Sequence, residues 1–155
     1  MTKIRYEIDL SRVMPELPED DRIRPIRPED ATDLAALMLD AYRDTIDYDG
    51  EDLDDAVAEV ASFFGNDPLL DMCRVLVDHM EIVTGILVSE TEDGAFIGYV
   101  MTRASHKGRG LGTLATRHAL AALAKAGYQK VVFYITKDNE PSERLFASLG
   151  AEAIG

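Results

Sequence analysis

The sequence has a single cysteine, no tryptophan, and few aromatic residues of any kind, Phe, Trp and Tyr together filling 7% of its 155 positions. With Cys73 alone, no disulfide closes within the chain and no cysteine cluster holds a metal. The histidines His79, His106 and His118 have no cysteine partners at ligand spacing, so no metal is expected. No window approaches the ~18 consecutive apolar residues that a membrane-spanning helix needs. The opening segment, Met1 to Leu10, alternates charged and apolar residues instead of running from a basic stretch into an apolar one, so no signal peptide is read. A cytoplasmic protein with no membrane partner is expected. Positive charge is also scarce, with 16 Lys and Arg against 29 Asp and Glu and a net charge of −13. That balance argues against nucleic acid, whose phosphates demand a basic surface.

Two local scarcities are sharper. From Asp40 to Glu59 the only base is Arg43, set among nine acids. From Gly94 to Lys137 there is no acid at all, while Arg103, Lys107, Arg109, Arg117, Lys125, Lys130 and Lys137 supply seven bases. Two solvated faces of opposite sign account for this. So does a bipartite site with one wall for an anion and the other for a cationic acceptor. Such charge steers ligands without specifying a fold.

The remaining composition, 46% apolar and 29% charged, is that of a globular protein. A chain of this length folds as one domain and buries roughly 70% of its unfolded surface. Lys3 to Leu10 alternates so that Ile4, Tyr6, Ile8 and Leu10 share one face, as in a half-buried strand. Pro15 to Asp21 is a loop and Arg22 to Pro28 a second short strand. A helix is expected from about Pro28 to Arg43, with Leu34, Leu37 and Met38 inward. A second, acidic helix follows from about Glu51 to Phe64, burying Val57, Val60, Ala61 and Phe64. Cys73–Val77, Ile82–Ser89 and Ala95–Arg103 then read as an antiparallel meander with short polar connections. Gly110 to Ala126 reads as a helix capped by Gly127, and Val131 to Ile135 as a strand buried on both faces. Strand, helix, strand over this span is a βαβ unit, so the strands near 95–103 and 130–136 should run parallel. Asn139-Glu140-Pro141 opens a last helix, with Leu145, Phe146 and Leu149 as its apolar stripe and Gly150 as its end.

The richest chemistry lies in Lys107-Gly108-Arg109-Gly110-Leu111-Gly112-Thr113, which follows a strand and opens a helix. Glycines allow a tight turn and close approach to a ligand. The start of a helix leaves N–H groups unpaired at the positive end of its dipole. Together they form a cradle for phosphate oxygens, although a plain glycine-rich turn is the simpler reading. The P-loop pattern fails because no Lys-Ser/Thr follows the last glycine. The dinucleotide fingerprint fails in its glycine spacing and in its strand context.

That loop resembles the Arg/Gln-x-x-Gly-x-Gly/Ala pyrophosphate loop of the GNAT superfamily of acyltransferases. Asn139 to Gly150, about 40 residues on, is similar to the family's second signature, an Asn followed by a helix ending in Gly. Arg24-Pro25-Ile26-Arg27-Pro28-Glu29-Asp30 resembles its usual first strand and helix entry. The resemblance covers about Ile23 to Gly150. It implies an α/β (α+β) GNAT fold, a mixed central sheet with an antiparallel meander and a parallel βαβ unit flanked by helices. Residues 1–21 would form an N-terminal extension containing a strand, and 22–155 the N-acetyltransferase domain, short at its C-terminus by the family's standard. The strand at 3–10 would then replace a missing sheet edge, in cis or from a second subunit.

The resemblance also implies acetyl-CoA as co-substrate. Val100, Met101 and Thr102 would offer backbone groups to the pantetheine and the acyl carbonyl. Lys107, Gly108, Arg109, Gly110, Leu111, Gly112 and Thr113 would hold the pyrophosphate. Asn139 would contact the pantetheine, and Ser142 and Phe146 would line the cofactor. The departures fall on catalytic groups. Lys107 stands for the family's Arg or Gln, keeping charge and losing planar hydrogen bonding. Phe146 stands where many members carry a Tyr that protonates the leaving thiolate, which leaves Tyr134 as the candidate. Phe96, Ile97, Gly98 and Tyr99 occupy the region of the family's strand glutamate, and none is a base at neutral pH.

The implied reaction is transfer of an acetyl group to an amine by direct attack on the thioester. An alkyl ammonium with pKa near ~10.4 must lose a proton before it attacks. The loop between the first two helices supplies Asp47, Tyr48 and Asp49 as candidates to bind a cationic small-molecule or peptide amine, with Asp47 and Tyr48 also candidates for catalysis. Solvated acids explain the same residues. His106, beside the loop, is a weaker candidate for a base. A non-catalytic GNAT-fold module that binds acyl-CoA or an amine is the alternative function. A homodimer is expected if a sheet edge is left exposed.

Overall fold

The computed structural model describes residues 2–154. One mixed sheet organises the chain. Strands β1 (Lys3–Asp9), β2 (Ile23–Pro25), β3 (Arg74–Asp78), β4 (Glu81–Thr91), β5 (Gly94–Thr102), β6 (Lys130–Thr136) and β7 (Glu152–Ala153) lie in the order β2-β3-β4-β5-β6-β1-β7. Four helices cover it: α1 (Ala31–Tyr42), α2 (Leu53–Phe64), α3 (Leu111–Lys125) and α4 (Glu140–Ala147). The meander β3-β4-β5 is antiparallel, and β5 and β6 run parallel on either side of the α3 crossover. Fold class, meander and βαβ unit are therefore as the sequence implies.

The alternating segment at the N-terminus lies against β6, in cis. Lys3 pairs with Thr136 and Asp9 with Lys130, antiparallel throughout. Its inward side chains explain the position: Tyr6 stacks on Phe133 with ring centroids 5.8 Å apart, and Ile8 and Leu10 are buried. The last residues then add β7 outside β1, pairing Tyr6 with Ala153 and Glu7 with Glu152. The sheet thus ends in β2, three residues including Pro25, and β7, two residues.

Helix entries follow local chemistry. Asp52 accepts a hydrogen bond from the Asp55 N–H, and Asp55 returns one to the Asp52 N–H, fixing the start of α2. The buried stripe of α2 is Ala56, Val60 and Phe63. This corrects the expected face: Val57 is 49% exposed, Ala61 is exposed and Phe64 is half-buried. Small Ala56 sits on the inward stripe with Val60 and Phe63, at the i, i+4, i+7 spacing of one helix face. Ranking residues by apolarity misses an alanine used in this way. At the entry to α1, buried Asp30 takes two hydrogen bonds of 2.8 Å from the Arg24 guanidinium and one of 2.8 Å from the Arg27 N–H. The Arg24 pair, followed by the Arg27 contacts, holds the Asp30 carboxyl below its usual range, although burial opposes it.

Cys73 is fully buried just before β3. Its thiol donates to the Val88 carbonyl and accepts from the Val88 N–H at 3.1 Å. Burial pushes the thiol pKa up to about 12, so it stays neutral. It is a small core residue, as its position suggested.

Candidate active site

Three features of the fold open a wedge in the middle of the sheet. The first is a β-bulge. Leu87 pairs with Tyr99 and Val88 with Ile97, so Gly98 is an extra residue in β5. A one-residue slip exchanges the faces of every side chain beyond it. Tyr99 and Met101 therefore point to the α1–α2 side, where Met101 lies close to Gly85 beside Leu34 and Leu37. Val100 and Thr102 point the other way, towards Gly112 of α3.

The second feature is divergence. The parallel ladder holds only Ala95 to Val131 and Phe96 to Val132. Among the described residues β5 has no pairing with β6 past Phe96, so the strands part beside the bulge. Peptide groups on that side of β5, through Val100, Met101 and Thr102, are left without a strand partner.

The third feature is the turn into α3. Gly108 and Gly110 have φ of +81° and +75°, the left-handed region that glycine enters without strain. A Cβ at either would meet nothing within 4 Å, so the space above the helix start is open. Gly112 is different in kind: a Cβ there would lie 3.2 Å from Leu145 and 3.4 Å from the Thr102 hydroxyl. Its glycine lets α3 approach α4 and the end of β5. The cradle anticipated from the sequence is thus two open glycines before a helix of 15 residues, with no acid in its first turn. An anionic phosphate group fits that donor set.

Lys107 faces away from this space. Its ammonium donates 2.7 Å to the Ala41 carbonyl in the last turn of α1. Cations belong at helix C-termini, where carbonyls lack partners and the dipole is negative. Asp40 of the same turn accepts from the Ala104 N–H at 2.8 Å. Together they clamp the loop to α1, which leaves the backbone and Arg109 beside the cradle. His106 does not stand free in the loop either. One ring nitrogen meets Ser105 at 2.8 Å and the other meets Asp78 at 3.0 Å, and this contact is the main reason the Asp78 carboxyl is held below its usual range.

The α1–α2 loop closes over the far end of the wedge. Asp47 accepts 2.6 Å from the Thr136 hydroxyl at the end of β6 and 3.2 Å from the Asn139 amide. Asn139 also caps α4 by accepting from the Ser142 N–H. The structure therefore brings Asp47, Asn139 and Ser142 together, although they were singled out for different roles. Tyr48 and Asp49 remain on the exposed loop, where the Tyr48 hydroxyl donates to the Glu51 carbonyl and the Asp49 N–H to the Glu51 carboxylate. Phe146 is buried, its ring centroid 4.1 Å from that of Phe133. Tyr134 is 49% exposed and packs on Phe96 across the strand pair.

Two groups on this side escape a reading of local pattern. The Tyr99 hydroxyl donates to the Glu59 carboxylate of α2. Burial, then this contact, raises the Tyr99 pKa. Tyr42, at the end of α1, is raised by burial and then by the charge of Asp47, while a hydrogen bond with the Val100 backbone opposes the rise. The signal available in sequence was a tyrosine beside a strand glycine; its partner lies 40 residues away.

The model of the GNAT acetyltransferase domain matches residues 22–152. The chain belongs to the GNAT acetyltransferase family. Solved structures agree on the fold. A GCN5-related N-acetyltransferase from Sphaerobacter thermophilus superposes with a TM-score of 0.76 at 17% identity, over 98% of this chain and 48% of its own. This chain therefore spans about half the length of that GNAT protein. A ribosomal-protein alanine N-acetyltransferase from Escherichia coli gives a TM-score of 0.65 at 18% identity, covering 83% of this chain and 75% of the other. A diaminobutyrate acetyltransferase from Paenibacillus lautus, solved with its substrate and coenzyme A, gives 0.61 at 20% identity, covering 81% and 72%. No curated protein matches the GNAT chain by sequence. Among the described residues no cluster of three or more His, Cys, Asp or Glu could hold a metal ion.

Proposed function

We propose that this GNAT domain is an N-acetyltransferase that moves an acetyl group from acetyl-CoA to a cationic small-molecule or peptide amine by direct attack on the thioester. One observation carries the reading. The strands β5 and β6 part at a bulge, and the gap runs from an open helix N-terminus on one side to a carboxylate-bearing loop on the other. Acetyl-CoA, when bound, supplies an acetyl group already activated as a thioester.

The chain's own groups divide the work. The N–H groups from Gly108 to Thr113 would hold the pyrophosphate in the open space above α3, with Arg109 adding charge. The peptide groups of Val100 to Thr102, which have no β6 strand partner, would orient the pantetheine and the acyl carbonyl, and Asn139 would reach the pantetheine from the start of α4. The acidic segment of Asp47, Tyr48 and Asp49 would draw a cationic amine to the other mouth. That a structural neighbour acetylates diaminobutyrate, an amine-bearing acceptor, supports this class of acceptor. Buried Phe146 has no proton to give, which favours a second reading, a module that binds acetyl-CoA without turnover.

Calorimetric titration of acetyl-CoA into the wild-type protein and a Gly110→Glu variant tests the cofactor site. The variant sets a carboxylate in the open cradle at a φ of +75°. Binding by the wild type and a loss of at least ~10-fold in the variant, about 1.4 kcal/mol, is expected, with the far-ultraviolet spectrum unchanged. No binding by the folded wild type overturns the reading. Binding without acetyl transfer to any of a panel of amines identifies the module.

A further inference from the structure

We infer that Tyr99 and Glu59 form the proton relay that serves the acceptor amine, with Tyr99 touching the amine and Glu59 acting through Tyr99. The inference rests on the acetyltransferase reading above and goes beyond it by supplying the base that β5 lacks.

The argument starts from the bulge. Without the extra Gly98, Tyr99 would share a face with Ile97, whose partner Val88 lies on the opposite face from Leu87. The slip sends Tyr99 instead to the α1–α2 side, one residue before Val100, whose backbone has no β6 partner and meets Tyr42. The Tyr99 backbone is therefore beside the wedge where β5 and β6 have parted, and its hydroxyl lies on the face that carries α1 and α2. A tyrosine alone is a poor base at neutral pH, because its phenol is already protonated. This one donates its proton to Glu59, so its oxygen lone pairs remain free to accept another. Glu59 belongs to α2, which is anchored to the fold through buried Val60 and Phe63. The carboxylate that this strand does not carry is thus delivered from the facing helix. Tyr42 and Asp47 complete that side. Neither donates or accepts a hydrogen bond with the pair, and Asp47 is held by Thr136 and Asn139.

The step balances as follows. The alkyl ammonium first gives one N–H proton to solvent, and the lone pair of the resulting neutral amine forms the new C–N bond to the acyl carbon. One N–H bond breaks and its proton passes to the Tyr99 oxygen, while the Tyr99 O–H bond breaks and its proton passes to a Glu59 oxygen. The C–S bond breaks and its electron pair leaves on sulfur as thiolate. Glu59 ends protonated and Tyr99 unchanged, and solvent restores the carboxylate because Glu59 is exposed.

Glu59→Gln, Tyr99→Phe and the double variant test this, with coenzyme A release as the readout. The probes are 1,4-diaminobutane, spermidine, lysine and a lysine-containing peptide. The expectation is a fall of about 10²-fold or more in kcat for each single variant, within the range of general acid–base catalysis. The amine KM and the calorimetric affinity for acetyl-CoA should stay within about two-fold, and the double variant should be no slower than the slower single, because the pair acts as one unit. A purely structural tie between α2 and β5 would lower the melting temperature and leave kcat within about three-fold, which overturns the relay. Losses that multiply in the double variant overturn it as well, as does a wild type that binds acetyl-CoA and acetylates none of the four amines. A wild type that fails to bind acetyl-CoA overturns the underlying reading instead, so the two failures are distinct.

Discussion

Asp30 illustrates how a single side chain can hold the entry to a helix. Its carboxylate is met by two guanidinium N–H groups of Arg24 and by the Arg27 peptide, in a site where its side chain is 9% exposed. Replacing it with asparagine removes the charge and one acceptor oxygen, and should cost about 2 kcal/mol at neutral pH, the range for hydrogen bonds to a charged group. The folded carboxyl lies below its unfolded value, so its contribution is complete above about pH 4 and fades as pH falls through the lowered folded value. Urea unfolding of wild type and Asp30→Asn at pH 7 and again near pH 3 should show that gap narrowing; a constant gap would contradict it. The pairing was not legible in the sequence, where Arg24 and Asp30 were part of a strand and helix entry recognised by order alone. The same holds for Glu59 with Tyr99 and for Lys107 with the end of α1. Each depends on two distant segments arriving at one place, and no local periodicity records that. The glycines were legible, because the conformations of Gly108 and Gly110 are properties of their own backbone.

Whole elements were easier to read than the faces they present. Alternation marked Lys3 to Leu10 as a strand, and near-continuous apolarity marked Val131 to Ile135 as a strand buried on both sides, which holds for Val131, Val132, Phe133 and Ile135 but not for Tyr134, 49% exposed on the second face. What alternation cannot say is which neighbour a strand takes. The answer lies in Tyr6 and Ile8, which need Phe133 and the core beneath β6. Removing residues 1–12 should therefore leave β6 with an open, apolar edge and prevent a cooperative thermal transition. Circular dichroism and gel filtration of the shortened chain check this, and a soluble, cooperatively melting monomer would refute it. Ile8→Asp, a smaller injury to the same seam, should lower stability by about 3 kcal/mol or more by placing a charge in the core. The error on α2 has a physical cause too, since an inward alanine carries little apolar signal while an outward valine carries much.

Across the whole molecule, the charge blocks of the sequence border the wedge. The acid-free stretch supplies β5, α3 and β6, and the acid-rich one supplies the end of α1, the loop carrying Asp47 and most of α2. Both readings of that asymmetry survive in the structure, because most of these charges are exposed while Asp47 reaches the cleft. Net charge acts on the molecule as a whole. With a sequence pI near 4.5, repulsion between copies vanishes close to that pH. Solubility measured from pH 3.5 to 8 should pass through a minimum near pH 4.5, and a minimum elsewhere would mean that buried ion pairs shift the titration strongly.

The partnership of β1 with β6 also sets a clock on synthesis. Thr136 is made ~130 residues after its partner Lys3, roughly 7 to 27 seconds later at about 5–20 residues per second. Through that interval Ile8 and Leu10 have no core to enter, while the meander can already assemble from neighbouring segments. Contacts of such long sequence separation slow folding as well. The emerging chain therefore passes through a stage in which one amphipathic strand waits for its seat, the stage at which a chaperone or an errant copy would find it.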